Sequence, residues 1–402
     1  MVEVAGPLLQ HMAKSKKSLF RRISNWLHLW LGLFSGIVVF VVCLTAAIWT
    51  FRDEFVLFLT PGQYVEQSDS PFLKPSQLIQ AVAKDIPGDS LGRILSLEFR
   101  NRNKSCILGY GPDRHGNYHD LYLNPYTGQK LYHRINEDGI SVFNDFLRAG
   151  HRFFWFPRPY GSYFVGANCL LFLITLITGF IWWYPNKWNK STRDKSFKIK
   201  WGASWKRVNL DLHNVLGFYT LIFTVILTVT GVVFTFGWFD DGYHWLVTGG
   251  KARLEHPHKG LSDTTRLTSD FKQPDDEIWR RYQQQQHVRI NYPKDAKDVY
   301  TVYLNPTTGH NDMTTWYGLD QKSLSVVGGV SKDEQISFGQ QIYRANFDIH
   351  VGTIGGLPTK ILASLASLVG ASLPVTGFII WYNRKWGKKR KPARAAASNT
   401  KA

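Results

Sequence analysis

Thirteen histidines stand in the 402-residue chain, and four of them fall in a pattern with chemical meaning. His28 and His213 each open a long apolar run with a shared local sequence, LHLWLG and LHNVLG. His151 (FLRAGHRFFWF) and His350 (YRANFDIHVGT) each lie shortly before another apolar run. Tyr184 and Tyr382 close those runs with matching Trp-Tyr endings, 33 residues after His151 and 32 after His350. The four histidines thus form two pairs, one at each end of the apolar runs. Two neutral imidazoles facing one another supply the axial ligands of a b-type haem, and an apolar bundle receives the macrocycle. A structural zinc site wants four protein ligands close together. Each pair here offers two imidazoles with no adjacent cysteine or carboxylate cluster, whereas haem brings four ring nitrogens of its own. A single histidine at a membrane interface is more often a polar anchor or helix cap, so the weight lies on the pairing.

Other residues join these pairs with more than one reading. Gly32 and Gly217 follow His28 and His213 by four residues, on the same helix face. They either let a flat ring approach the backbone or serve helix–helix packing, which favours small residues in membranes. Arg148, Arg152 and Arg344 lie near the second pair, where they would neutralise haem propionates or contact lipid headgroups. The three cysteines form no CxxC or CxxCH motif, so any haem is held non-covalently.

The elements that must position these residues are membrane spans. A bilayer core is crossed by about 20 apolar residues, and four nearly charge-free segments have that length: Trp26–Phe51, Tyr163–Tyr184, Leu212–Trp238 and Lys360–Tyr382. The first apolar run is too long for a signal peptide and lacks a small-residue cleavage site, so it is read as a retained helix. Mean hydropathy is only −0.20 because two polar stretches of about a hundred residues separate the spans. The net charge of +18 is concentrated in short segments: five Lys/Arg before the first span, eight in the linker Pro185–Leu210 and eight after the last span, against Glu3 and Asp194. Short basic segments stay cytoplasmic, which places both termini and the linker inside and both polar stretches outside. A nucleic-acid partner would require that charge on a folded domain, and membrane lipid is the expected contact instead.

Self-similarity organises the whole chain. LHLWLGLFSGIVVFVVCLTAAIWTF matches LHNVLGFYTLIFTVILTVTGVVFTF, TGFIWWYPNKW matches TGFIIWYNRKW, and LYLNPYTGQKL matches VYLNPTTGHND. The unit is helix, external domain, helix, and it occurs twice in one orientation. The expected fold is an α-helical membrane protein whose four transmembrane helices form a pseudo-two-fold bundle, with two small α+β external domains. Its segments are a tail (1–25), a span (26–51), domain one (52–150), an interfacial segment and span (151–184), a basic linker (185–211), a span (212–238), domain two (239–346), an interfacial segment and span (347–382), and a basic tail (383–402). In domain one the patterning predicts a helix over Ser76–Asp85 and strands over Ile94–Phe99, Ser105–Tyr110 and Tyr118–Asn124. In domain two it predicts a helix around Asp275–Gln286 and strands around Val299–Asn305 and Ser323–Val327. The NPxTG sequences, Asn124–Gly128 and Asn305–Gly309, read as turns. Pro and Gly residues separate His151 and His350 from their spans, so both are expected on short interfacial helices.

The LHxxLG motif (Leu27–Gly32, Leu212–Gly217), the YLNPxTG strand-turn and the TGFIxWY ending resemble the PepSY-associated transmembrane family over about residues 20–387. His151 keeps the His-Arg pair of the family's LHRxL-like pattern, whereas His350 is followed by Val351. The resemblance implies PepSY-like periplasmic domains in a bacterial inner-membrane protein similar to di-haem ferric reductases. His28 with His213 would hold a cytoplasm-side haem, and His151 with His350 a periplasm-side haem. The implied acceptor is a periplasmic ferric siderophore. No GxGxxG fingerprint occurs at a strand–helix junction, so the donor would be a cytoplasmic reductase or a quinol. A different class also fits the sequence: a non-enzymatic sensor or regulatory protein with structural histidines. A transporter fits poorly, because the span interiors carry no charged residue.

Overall fold

A computed structural model of the chain describes residues 18–88, 93–253, 262–263, 265, 270–304, 315–330 and 337–387. The elements run in the order α1 (Leu19–Trp49), α2 (Arg52–Leu59), α3 (Pro75–Ala81), β1 (Ile94–Phe99), β2 (Cys106–Tyr110), β3 (His119–Leu123), β4 (Lys130–Ile135), α4 (Gly139–Phe153) and α5 (Tyr160–Trp183). They continue with α6 (Lys190–Phe197), α7 (Trp205–Val233), α8 (Gly237–Thr248), α9 (Pro274–Tyr282), β5 (Val288–Asn291), β6 (Tyr300–Leu304), β7 (Thr315–Leu319), β8 (Val326–Val330), α10 (Phe338–Arg344), α11 (Asn346–Val351) and α12 (Leu357–Trp386).

Four described helices, α1, α5, α7 and α12, are long and apolar enough to cross a membrane. Three of them extend beyond the apolar runs. α1 begins at Leu19, α7 at Trp205, and α12 continues to Trp386. Arg21, Arg22, Lys206, Arg207, Arg384 and Lys385 continue these helices because long basic side chains are good helix formers whose charged heads reach water. His28 and His213 therefore lie more than two turns inside their helices. α1 packs on α5 and α12, and α7 packs on the same two, so α1 and α7 occupy one diagonal of the bundle.

The two polar stretches do not stay apart. They share one antiparallel sheet in the order β4-β3-β2-β1-β5-β6-β7-β8. Each stretch supplies a four-stranded meander, and the seam is the pairing of β1 with β5, in which Leu97 faces Ile290 and Phe99 faces Val288. An open strand edge exposes unpaired amides and carbonyls, and each meander covers the other's edge. Alternation along β1 sends Leu97 and Phe99 to one face and Ser96 and Glu98 to the other, as period-two geometry requires. On the apolar face α3 and α9 bring Leu78, Ile278 and Trp279 onto the strands, so both stretches share one core. The Trp279 ring stacks on Phe99 at 3.9 Å. Asp276 links the two helices by accepting the Ser76 amide (2.9 Å) and hydroxyl (2.7 Å). The expectation of two small domains thus becomes one sheet with one core.

The strand positions also correct the matching of the two turns. In the first meander the β3–β4 turn is NPYTG, where the Asn124 side chain accepts the amides of Tyr126 and Thr127, and Gly128 adopts φ 75°. Its counterpart by position in the sheet is Asp320–Leu324, between β7 and β8. There Asp320 accepts the amides of Lys322 and Ser323, and Leu324 takes φ 53°. Asn305–Gly309, the sequence match, follows β6 instead and lies outside the described residues. The likeness of the two NPxTG strings thus pairs segments one strand out of register. The Ser323–Val327 strand expectation shifts for the same reason, because Ser323 and Leu324 belong to the turn and β8 begins at Val326. β4, β5 and β7 fall outside the sequence-predicted strands altogether.

Asp320 also accepts the Ser262 hydroxyl (2.8 Å), the Asp263 amide (2.6 Å) and the Ser323 hydroxyl (2.8 Å), which ties a distant loop to the turn. Burial opposes its charge, but the amides of Ser323 and Asp263 and the two hydroxyls outweigh that and hold its carboxyl well below the ordinary value of 3.8. A depressed carboxyl stabilises the fold above the unfolded-state value and loses that contribution as pH falls through the folded-state value. Asp320→Asn should therefore cost about 1.5–3 kcal/mol near neutral pH. The gap to the unsubstituted protein should narrow below about pH 4, read as thermal midpoints across an acid series.

Candidate functional site

Each of the four histidines rests in a similar seat on a neighbouring helix. His28 on α1 donates its Nδ1–H to the carbonyl of Thr175 on α5 at 3.0 Å. His213 on α7 donates to the Thr376 hydroxyl on α12 at 2.9 Å, beside the Leu373 carbonyl. His151, in the last turn of α4, donates to the Val42 carbonyl on α1 at 3.0 Å. His350, in the last turn of α11, donates to the Leu227 carbonyl on α7 at 3.0 Å and lies 3.1 Å from the Thr230 hydroxyl. Thr175 and Leu373 each precede the matched Tyr184 and Tyr382 by nine residues, and Val42 and Leu227 each follow the matched His28 and His213 by 14. The seats thus fall at equivalent points of the two repeats.

The local sequence of each seat explains its shape. Three residues after each carbonyl stands a threonine: Thr45, Thr178, Thr230 and Thr376. Every one of these hydroxyls reaches the carbonyl four residues back at 2.7–2.9 Å and the seat carbonyl three residues back at 3.1–3.2 Å. The next residue is small: Ala46, Gly179, Gly231 and Gly377. A Cβ at Gly179 would stand 2.8 Å from Cε1 of His28, one at Gly231 2.8 Å from Cε1 of His350, and one at Gly377 3.3 Å from Cε1 of His213. These glycines are cradles into which the imidazole edges fit.

The tautomer follows from the acceptors. A carbonyl oxygen cannot donate, so Nδ1 carries the proton in His28, His151 and His350. The Thr376 hydroxyl donates to the Ser372 and Leu373 carbonyls, so its oxygen accepts from Nδ1 of His213. In each neutral imidazole Nε2 is left as the bare nitrogen. A second-shell bond of this kind is what orients a metal-ligating histidine. Ring centres lie 6.2 Å apart for His28 and His213, and 5.9 Å apart for His151 and His350. A metal–imidazole bond is about 2 Å long, so two imidazoles on opposite sides of one metal hold their ring centres about 6 Å apart. The donor set, the cradles and the spacing fit an iron porphyrin held by two imidazoles. Neither bundle pair belongs, among the described residues, to a group of three or more His, Cys, Asp or Glu that could hold a bare metal ion.

An apolar cavity at the sheet end of the bundle has His151 and His350 in its wall, together with Arg52 and Arg152. Val38, Val39, Val165 and Phe172 line it as well. Arg52 lies over the Trp49 ring at 5.2 Å, and Trp49 stands 6.0 Å from His151. At the other end, Arg384 lies over Trp182 at 5.6 Å, and Trp182 meets His28 edge-on at 5.4 Å. Of the arginines singled out from sequence, Arg152 lines the cavity, Arg148 pairs with Asp145 at 3.0 Å, and Arg344 ends α10 outside the cavity wall. Gly32 and Gly217 pack helices: a Cβ at Gly32 would touch Thr175 at 3.5 Å, and one at Gly217 would touch Leu373 at 3.4 Å. The Thr175 carbonyl receives His28, and the Leu373 carbonyl stands beside the Thr376 hydroxyl that receives His213.

Short helices present the sheet-end pair. α4 stops just past His151 because Phe154 and Trp155 both take left-handed conformations (φ 51° and 57°), which costs bulky residues about 1–3 kcal/mol each. The Trp155 ring folds back over Gly150, where a Cβ would come within 2.5 Å of it. α11 stops at Gly352 (φ 76°), and the Asn346 side chain at its start donates to the Thr230 carbonyl at 3.2 Å. The threonine seats, Arg52 and Arg384 were not singled out from sequence. The repeated Thr-Gly of TGFIWWY and TGFIIWY, and the Thr230-Gly231 pair, were the visible signal.

Four long apolar helices with two pairs of imidazoles between them, joined to an antiparallel sheet, define a membrane protein. The chain matches the family model of the PepSY-associated TM region over residues 25–384 and belongs to that family. No curated protein matches it.

The cradles make a graded expectation. Gly179→Ala and Gly231→Ala force a methyl group against a fixed imidazole and should cost about 1–3 kcal/mol by overpacking. Gly377→Ala, with half an ångström more room, should cost less. Thermal midpoints of the three variants in detergent would show the order.

Proposed function

We propose that the protein is a di-haem b electron-transfer protein of the bacterial inner membrane that reduces ferric siderophore complexes in the periplasm. Its electrons come from a cytoplasmic reductase or a quinol. The observation that carries this reading is the seat common to all four histidines, which leaves each Nε2 bare in two facing pairs. On this reading the bundle has a pseudo-two-fold axis along the membrane normal that exchanges α1 with α7 and α5 with α12. The basic tails and linker support a cytoplasmic placement for the His28–His213 end, with the sheet in the periplasm.

A haem bound at each pair supplies a one-electron iron couple in an apolar medium. The chain's own residues fix and insulate that couple. The carbonyls of Thr175, Val42 and Leu227 and the hydroxyl of Thr376 set ring orientation and raise imidazole basicity. Arg52 and Arg152 at the sheet end, and Arg384 at the tail end, are placed to balance propionate charge. Val39, Phe172 and Leu176 form a buried apolar cluster in the bundle, and Val39 and Phe172 extend it into the cavity wall. The substrate gains one electron, Fe(III) becoming Fe(II), and hard oxygen ligands hold the ferrous ion less tightly. Arg158, over Phe153 at 4.1 Å, adds to Arg152 a basic outer rim suited to anionic groups.

Visible spectra of the detergent-purified protein test the reading. A Soret band that shifts with dithionite and two haems per chain are expected. His28→Ala and His151→Ala should each remove one haem and leave the other. Absence of a Soret band from protein made with ample haem would falsify the proposal and leave the sensor class. With haem present, reduced protein mixed anaerobically with a ferric siderophore should reoxidise, and a stable reduced spectrum would remove that acceptor.

A further inference from the structure

A second group of imidazoles sits in the sheet, away from the bundle. Tyr110 on β2 stands opposite His119 on β3, and His133 on β4 stands opposite Leu121, two residues along from His119. Period-two geometry therefore sends Tyr110, His119 and His133 to one face. There His119 Nδ1 lies 3.0 Å from His133 Nε2, and the Tyr110 hydroxyl lies 3.4 Å from the same Nε2. The Tyr110 ring stacks on His119 at 4.6 Å with 5° between the planes. Asp113 Oδ2 accepts the Nε2–H of His119 at 3.0 Å. Asp113 is itself fixed, since its Oδ1 accepts the backbone amides of His115 and Asn117 at 2.8 Å each.

The proton on Nε2 makes Nδ1 the bare nitrogen of His119, and it points at a second imidazole. We propose that His119 Nδ1 and His133 Nε2 chelate a divalent transition-metal ion of the zinc type, with the Tyr110 oxygen as a further donor and Asp113 orienting His119 from behind. Two nitrogens bound to one ion at about 2 Å each stand about 3 Å apart, which is the separation present. Carboxylate, histidine and metal in line is the arrangement that fixes a ligand's tautomer in many such sites. The ion takes the place of the single proton that His133 shares with His119, and that proton moves to the other ring nitrogen of His133. His133 is exposed on the edge strand β4, so the ion enters from solvent and keeps water in its remaining positions. Imidazole donors favour zinc-like ions over magnesium or calcium. The site stands independently of haem in the bundle.

Zinc chloride titrated calorimetrically into the full-length protein in detergent tests this. Wild type should show a site that His133→Ala lacks, and zinc should raise the thermal midpoint of wild type but not of the variant. His133→Gln, which preserves the strand, should behave as His133→Ala does. Asp113→Asn should weaken zinc binding about 10- to 100-fold. Equal zinc stoichiometry and affinity in wild type and both His133 variants would overturn the proposal and leave the cluster as hydrogen-bonded packing.

Discussion

A histidine inside an apolar helix bundle has two ring nitrogens to satisfy, and at all four bundle positions one of them is taken by a seat on the neighbouring helix. Leaving a buried donor without an acceptor costs about 1–3 kcal/mol, so this bond constrains more than a side chain. It requires the neighbouring helix to present a carbonyl outward, and the threonine three residues on is bonded to that same carbonyl. It requires a small residue one step further, because the imidazole edge lies against the backbone there. Helix rotation, crossing distance and glycine placement all follow from the acceptor that Nδ1 finds. The other nitrogen is thereby left bare and directed, which is the chemical content of the bundle.

The sheet answers to a different constraint. A four-stranded meander has two open edges and is a poor independent unit, and the chain contains two of them. Joining β1 to β5 covers one edge of each and merges their cores under α3 and α9, leaving β4 and β8 as the edges of the joint sheet. The bundle and the sheet are therefore tied at several chain crossings. α4 and α11, which carry the sheet-end histidines, lie on two of these crossings. The left-handed residues ending both short helices show how sharply the chain must turn to place those imidazoles.

Much of this was legible in residue order. Hydropathy located the four long helices, because a continuous apolar run has few alternatives in water or lipid. Repetition paired the histidines. The seats were not legible, since a backbone carbonyl leaves no trace in a sequence. The Thr-Gly pairs that accompany them read equally well as helix packing. Arg52 and Arg384 escaped notice because nothing in their spacing links them to the histidines; Trp49 and Trp182 make that link in space. The merged sheet was hidden for a related reason, as strand patterning reports which face is buried and is silent on which edge is covered. The NPxTG strings misled outright. One string follows β3 and the other follows β6, and an aspartate network at Asp320 stands at the turn equivalent to Asn124–Gly128.

The β1–β5 seam has the form of an isologous contact, in which one edge meets its own counterpart antiparallel. In a half-length chain carrying one helix, one meander and one helix, that contact could form only between two molecules, and its occupancy would depend on concentration. Linking the halves in one polypeptide makes the partner permanently local. It also frees the halves to diverge. Cys43 and Cys169 in the first repeat stand at the positions of Thr228 and Ser367 in the second, all four in the wall of the same cavity. A homodimer could not make that difference, because any substitution would appear on both sides of its axis at once.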